Sequence, residues 1–181
     1  MTIDRQQLER LFAGLPKRSL RSTLFNIAHA YARAADASWG SLVTTKDFDF
    51  AAPAIMCQSF AIELLLKFFL AIDHPSATTT DELKTAGVNL RCHKYSELFD
   101  QLAPATKDKI AKSFSTLSGR QINADGFRQE LIAQGNDPFV YWRYIYEENS
   151  RFSHFDRQSF NVVTDALGKA AEAERKAMPN K

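Results

Sequence analysis

A chain of 181 residues is long enough for one compact domain with a substantial core and short for two. Its 45% hydrophobic and 24% charged content excludes wholesale disorder. With 23 basic residues against 21 acidic ones, charge alone does not point to a nucleic-acid partner.

Residues Met1 to Leu15 mix Asp4, Arg5, Glu9 and Arg10 with apolar positions and lack the apolar centre of a secretory signal. Within them, Ile3 to Ala13 reads as a short amphipathic helix, with Ile3, Leu8, Leu11 and Phe12 on one side and Pro16 ending it. A longer helix is predicted from Arg18 to Ser38. There Leu20, Leu24, Ile27, Ala28, Tyr31 and Ala35 recur at helical spacing while Arg18, Arg21 and Arg33 face water. Trp39 to Asp49 reads as a connector, with Gly40 as the helix stop.

The segment Ala52 to Ile72 is apolar almost all round, so it is expected to be a core helix covered by its neighbours on most sides. It carries Pro53, Gln58, Ser59, Glu63 and Lys67, a polar load that favours a buried core helix over a membrane span. Glu63 and Lys67, four residues apart, are expected to form its one wet stripe. A polar loop follows from Asp73 to Arg91, holding a short turn at Asp81 to Lys84.

Lys94 to Leu102 forms a brief helix, and Pro104 opens another that carries Ile110, Phe114 and Leu117 until Gly119 breaks it. One turn or two are expected between Gly126 and Gly135. Asp137 and Pro138 start an aromatic helix reaching Asn149, with Phe139, Tyr141, Trp142, Tyr144 and Tyr146. The last helix, Arg157 to Lys176, buries Phe160, Val163 and Leu167, and the charged stretch Lys169 to Lys181 reads as a solvated or frayed end. The sum is one all-α domain over 1–181: an up-and-down bundle of five principal helices with short extra ones.

Cys57 and Cys92 fall in different settings, form no CxxC pair and have no zinc-ligand spacing with histidine, so neither a bridge nor a metal is expected. Two unpaired cysteines fit a reducing cytoplasm. Walker, GxGxxG, GxSxG and HExxH patterns are absent, and no cofactor is implied.

The helix Ala61-Ile62-Glu63-Leu64-Leu65-Leu66-Lys67, followed by His93-Lys94-Tyr95-Ser96-Glu97-Leu98-Phe99-Asp100-Gln101-Leu102, resembles the HEPN family. That family pairs an A-x-E-x-x-L-K helix with a GH-x-L-x-x-L segment. The aromatic run Trp142-Arg143-Tyr144-Ile145-Tyr146-Glu147 resembles a variant seen in some bacterial members, and the likeness spans roughly 52–167. It implies a helical bundle, homodimerisation, and either metal-independent RNA cleavage or non-catalytic binding. Ribonuclease members place a histidine four to six residues after an arginine. None of His29, His74, His93 or His154 has that spacing, and the nearest approach is Arg151-Phe152-Ser153-His154.

The leading expectation is therefore a non-catalytic binding or assembly module for RNA, a nucleotide or a protein partner. Its groove would lie near Arg143, Tyr144, Glu147, Arg151 and His154. Arg143 and Glu147 share a helix face, where an arginine can grip an anion beside stacking rings. The same residues also fit a structural pairing of Arg143 with Glu147 or with Glu63. Two alternatives remain open: a metal-independent endoribonuclease of a toxin or phage-defence system, with His154 and Arg151 or Arg143 as catalytic candidates, and a structural homodimer without ligand. His93 and Lys94, opening a helix, either attract an anion or simply pack at a loop end. His29 is expected to be partly exposed, and His74 to place a mildly favourable cation at a helix end. The 14 phenylalanines exceed the needs of a minimal bundle, and a dimer face would use the surplus.

Overall fold

The computed structural model describes residues 19–135 and 156–178, and every regular element among them is helical. Helix α1 runs over Leu20–Thr45, its first turn capped by Ser19, whose hydroxyl accepts the Ser22 N–H at 3.2 Å. It passes straight through Gly40, correcting the expected stop and the expected connector from Trp39. Trp39 is buried and its indole N–H donates to Gln58 Oε1 at 3.1 Å, so packing carries the helix on. A mid-helix glycine costs only about 1 kcal/mol relative to alanine, which the buried indole outweighs. The helix closes instead at Lys46, in the left-handed conformation (φ 61°), whose N–H bonds to the Leu42 carbonyl.

A single 3-10 turn, Phe48–Phe50, leads into α2, Ala51–Asp73. Six consecutive residues, Ala61 to Leu66, are buried, which is more than a full turn and requires neighbours on every side. The segment Phe48–Asp73 is long and apolar enough to cross a membrane, but 72% of its most apolar window is buried by the rest of the fold. Glu63 and Lys67 share that burial, with side chains 1% and 11% exposed, so the expected wet stripe is instead an ion pair let into the core.

The α1–α2 hairpin is antiparallel, and Arg21 ties its open end. Its guanidinium donates to the carbonyls of Ala71 (2.9 Å), His74 (3.2 Å) and Pro75 at the end of α2. Arg21 was expected to face water. The unsatisfied carbonyls and negative end of α2 supply a stronger partner than solvent, and the cation expected there from His74 comes from α1.

The polar loop contains α3, Thr80–Thr85, begun by a capping box between Thr79 and Glu82. Helix α4, Tyr95–Asp100, then lies against α2. Helix α5, Pro104–Ser118, starts beside the end of α2, where the Asp73 carboxylate accepts the Ala103 N–H at 2.7 Å and the Thr106 hydroxyl. Gly119 (φ 70°) closes α5, as its position predicts.

Helix α6, Ala124–Ala133, is a ten-residue helix that buries Phe127 and Leu131 against α4 and α5. Phe127 packs at a tilt against Phe99 and edge-to-face against Phe114, with ring centres 5.4 and 5.5 Å away. Helix α7, Arg157–Ala177, runs antiparallel to α5, as Ser113 bonds to Ala166 and Lys109 to Glu174. With α1, α2, α5 and α7 alternating in direction, the described residues form an all-α, up-and-down bundle.

Of the two readings of the charged stretch from Lys169, solvated or frayed, the described residues fit the first: they stay helical to Ala177 and are mostly exposed. Ala171 is buried, the Arg175 guanidinium lies 4.7 Å from the Phe25 ring centre, and Arg175 donates to Asn26 at 3.0 Å. One buried alanine and cation contacts on α1 hold α7 in place through Ala177 despite its charged sequence.

Candidate functional site

Glu63 lies in the buried run of α2, and the chain entering α4 is folded back over it. Two anchors one helical turn apart set that approach. The Tyr95 hydroxyl, fully buried, donates to the Ser59 carbonyl at 2.8 Å. Four residues on, His93 Nδ1 lies 3.1 Å from both oxygens of Glu63. Lys67 Nζ completes the set at 2.6 Å from Glu63 Oε1.

A carboxylate only accepts, so Nδ1 of His93 carries the proton and the opposite ring edge is oriented away from Glu63. The His93 side chain is 49% exposed while Glu63 is 1% exposed. A buried charge therefore orients a ring that solvent reaches. Arg91 and Lys94, both exposed, flank it, and Lys94 pairs with Glu97 at 2.9 Å.

The neighbouring thiol is inert. Cys92 is buried, and burial first, then its hydrogen bond to Glu97 (3.2 Å), pushes its pKa up, which keeps it protonated and a poor nucleophile. The hydrogen bond from Lys94 and then that from Cys92 hold the Glu97 carboxyl below its usual range. Among the described residues no group of three or more His, Cys, Asp or Glu side chains could hold a metal ion.

A second polar centre sits five residues earlier on α2. Gln58, 4% exposed, accepts from Trp39 and donates through Nε2 to Asn161 Oδ1 (2.8 Å) and Thr164 Oγ1 (3.0 Å). The Thr164 hydroxyl in turn donates to the Phe160 carbonyl at 2.9 Å, and Arg157 lies 4.5 Å from the Trp39 ring centre. This node joins α1, α2 and α7. Its signal in the sequence was the amide itself, a polar residue inside an apolar helix.

Arg143, Tyr144, Glu147, Arg151 and His154, with the predicted helix from Pro138 to Asn149, lie outside the described residues. So does the predicted N-terminal helix. From the Glu63 side, the carboxylate considered as a partner for Arg143 is engaged by Lys67 and His93. No protein-family model, curated protein or solved structure matches the chain.

Proposed function

We propose that this chain is a HEPN-like, non-catalytic binding module of the cytoplasm that recognises RNA or a nucleotide, and that it works as a homodimer. The observation that carries the reading is the contact of Glu63 with His93. It joins two of the three segments on which the family resemblance rests, Ala61 to Lys67 and His93 to Leu102, which are separated by a polar loop in the sequence.

The same contact favours binding over cleavage. Metal-free RNA cleavage needs a proton acceptor and a proton donor at one phosphate. At this centre His93 is a single oriented imidazole; Lys67 and Lys94 are engaged by Glu63 and Glu97, and the exposed Arg91, two residues before His93, is the cation left to hold a phosphate. In this reading Arg143, Tyr144, Glu147, Arg151 and His154 contribute the remainder of the ligand surface.

The test is incubation of the full chain with end-labelled RNA in excess EDTA, followed by both cleavage and fluorescence anisotropy. Intact RNA and salt-sensitive binding that weakens several-fold in His93→Ala are expected. Cleavage by the parent but not by a variant carrying Arg151→Ala and His154→Ala would make the protein an endoribonuclease instead. Neither cleavage nor binding, with a dimer in solution, would leave the structural homodimer.

A further inference from the structure

Helix α1 presents a second polar face, well away in sequence from the Glu63 centre. Ser22, Asn26, His29 and Arg33 recur at spacings of three and four and line one wall of a groove of about 800 Å³, with Glu172 and Arg175 of α7 on the other. The donors there form an ordered chain. Arg175 Nη1 donates to Asn26 Oδ1 at 3.0 Å, and Asn26 Nδ2 donates to Ser22 Oγ at 3.3 Å. The Ser22 hydroxyl proton is left as the terminal donor of that chain, without an acceptor among the described residues. The Phe25 ring, 4.7 Å from the guanidinium carbon of Arg175, holds that cation against α1.

Two further groups are unspent. Arg33 is exposed and makes no ion pair among the described residues. His29 Nε2 is buried and has no hydrogen-bond partner among the described residues, and an unpaired buried nitrogen costs free energy. Its imidazole packs against Phe25 with ring centres 4.2 Å apart and ring planes tilted by 47°. Burial pushes the His29 pKa down, Glu172 opposes that shift, and Arg33 and Arg175 add to it. Two guanidiniums against the Glu172 carboxylate leave the groove one net positive charge.

We propose that this α1–α7 groove binds a small phosphate-bearing ligand, its phosphoryl oxygens held by the guanidiniums of Arg33 and Arg175. A single bidentate guanidinium satisfies the two oxygens of a carboxylate, whereas guanidiniums from two helices can share the three terminal oxygens of one phosphoryl group. The volume is in the range that accommodates a ligand of nucleotide size. The site is built by α1 and α7 and is independent of the His93 centre, so either can fail without the other.

The experiment is an NMR titration of the full chain with inorganic phosphate and then adenosine monophosphate, following the His29 ring resonances, with sodium chloride at matched ionic strength as control. A saturable shift with phosphate or the monophosphate, absent with chloride, is expected. Arg33→Gln alters an exposed side chain and leaves the fold intact, and it should weaken binding by ~10-fold or more. Arg175→Gln should do the same. A response to both probes no different from chloride, or equal affinity in the parent and Arg33→Gln, would overturn the proposal.

Discussion

Gln58 and Glu63 both interrupt the apolar face of the same helix, both are buried, and they solve the problem of a buried polar group in opposite ways. Gln58 is neutral and closes its hydrogen bonds inward, on Trp39, Asn161 and Thr164. Such a node costs little when complete and allows one relative register of the three helices it joins. Glu63 is charged, and its partners lead outward: Lys67 at 11% exposure and His93 at 49%. A buried carboxylate is costly to desolvate and is tolerated through close cationic partners. The neutral centre fixes the bundle, and the charged one orients a solvent-reached imidazole at the surface.

Breaking the charged centre should have the larger effect. Glu63→Ala strands Lys67 without its counter-charge and is expected to lower unfolding stability by about 3 kcal/mol, read as a shift of the urea midpoint with an unchanged slope. Glu63→Leu combined with Lys67→Met, which removes both charges, should recover most of that loss. No recovery would mean that His93, rather than the ion pair, is the main stabilising contact. Gln58→Leu comes next at about 2 kcal/mol, because the Trp39 indole N–H and the Asn161 and Thr164 oxygens lose their partner in the interior. If Gln58→Leu proves the more damaging change, the roles assigned to the two centres are reversed.

The contrast also marks what the sequence could convey. The extent of α2, the capping box at Thr79, the start of α5 at Pro104 and its end at Gly119 follow from local rules, because apolar periodicity and turn chemistry act within a few residues. Arg21, Trp39 and Asp73 were illegible in that way. Each takes its role from partners 19 to 56 residues distant, and no local pattern separates a solvated arginine from one capping another helix. Gly40 misled for the same reason, since a glycine is a stop only where packing lets the helix end. The charged composition from Lys169 onward hid a face docked on Phe25. For the site, the resemblance singled out Glu63, Lys67 and His93 as residues, but their meeting depends on a loop whose path is set by Tyr95 reaching Ser59. The residues favoured for binding, Arg143 to His154, belong to the part outside the described residues.

Smaller effects sharpen the comparison at the open end of the hairpin. Arg21→Ala removes the cation from the end of α2 and leaves the Ala71 and His74 carbonyls to water, an expected loss of about 1 kcal/mol. Because Arg21 touches neither polar centre, its effect should add to that of Gln58→Leu within a few tenths of a kcal/mol. Strong coupling would show that capping of α2 and the Gln58 node act as one unit.

The smallest effect is a slope in pH. His29 has its pKa lowered in the folded protein, mainly by burial, from an ordinary value of 6.5. As pH falls through 6.5 the unfolded chain takes up a proton before the folded one does, so protonation favours unfolding and stability declines. Above that value both states are neutral at this residue and the contribution is flat. Asp100 acts in a lower window: its hydrogen bond from Arg128 holds the carboxyl below 3.8, so its stabilisation is present above that pH and disappears beneath it. Urea titrations between pH 7 and 5 should therefore show a slope that His29→Gln removes and Asp100→Asn leaves in place. A slope unchanged in His29→Gln would place the titrating group elsewhere and would show that burial of this ring does not suppress its protonation.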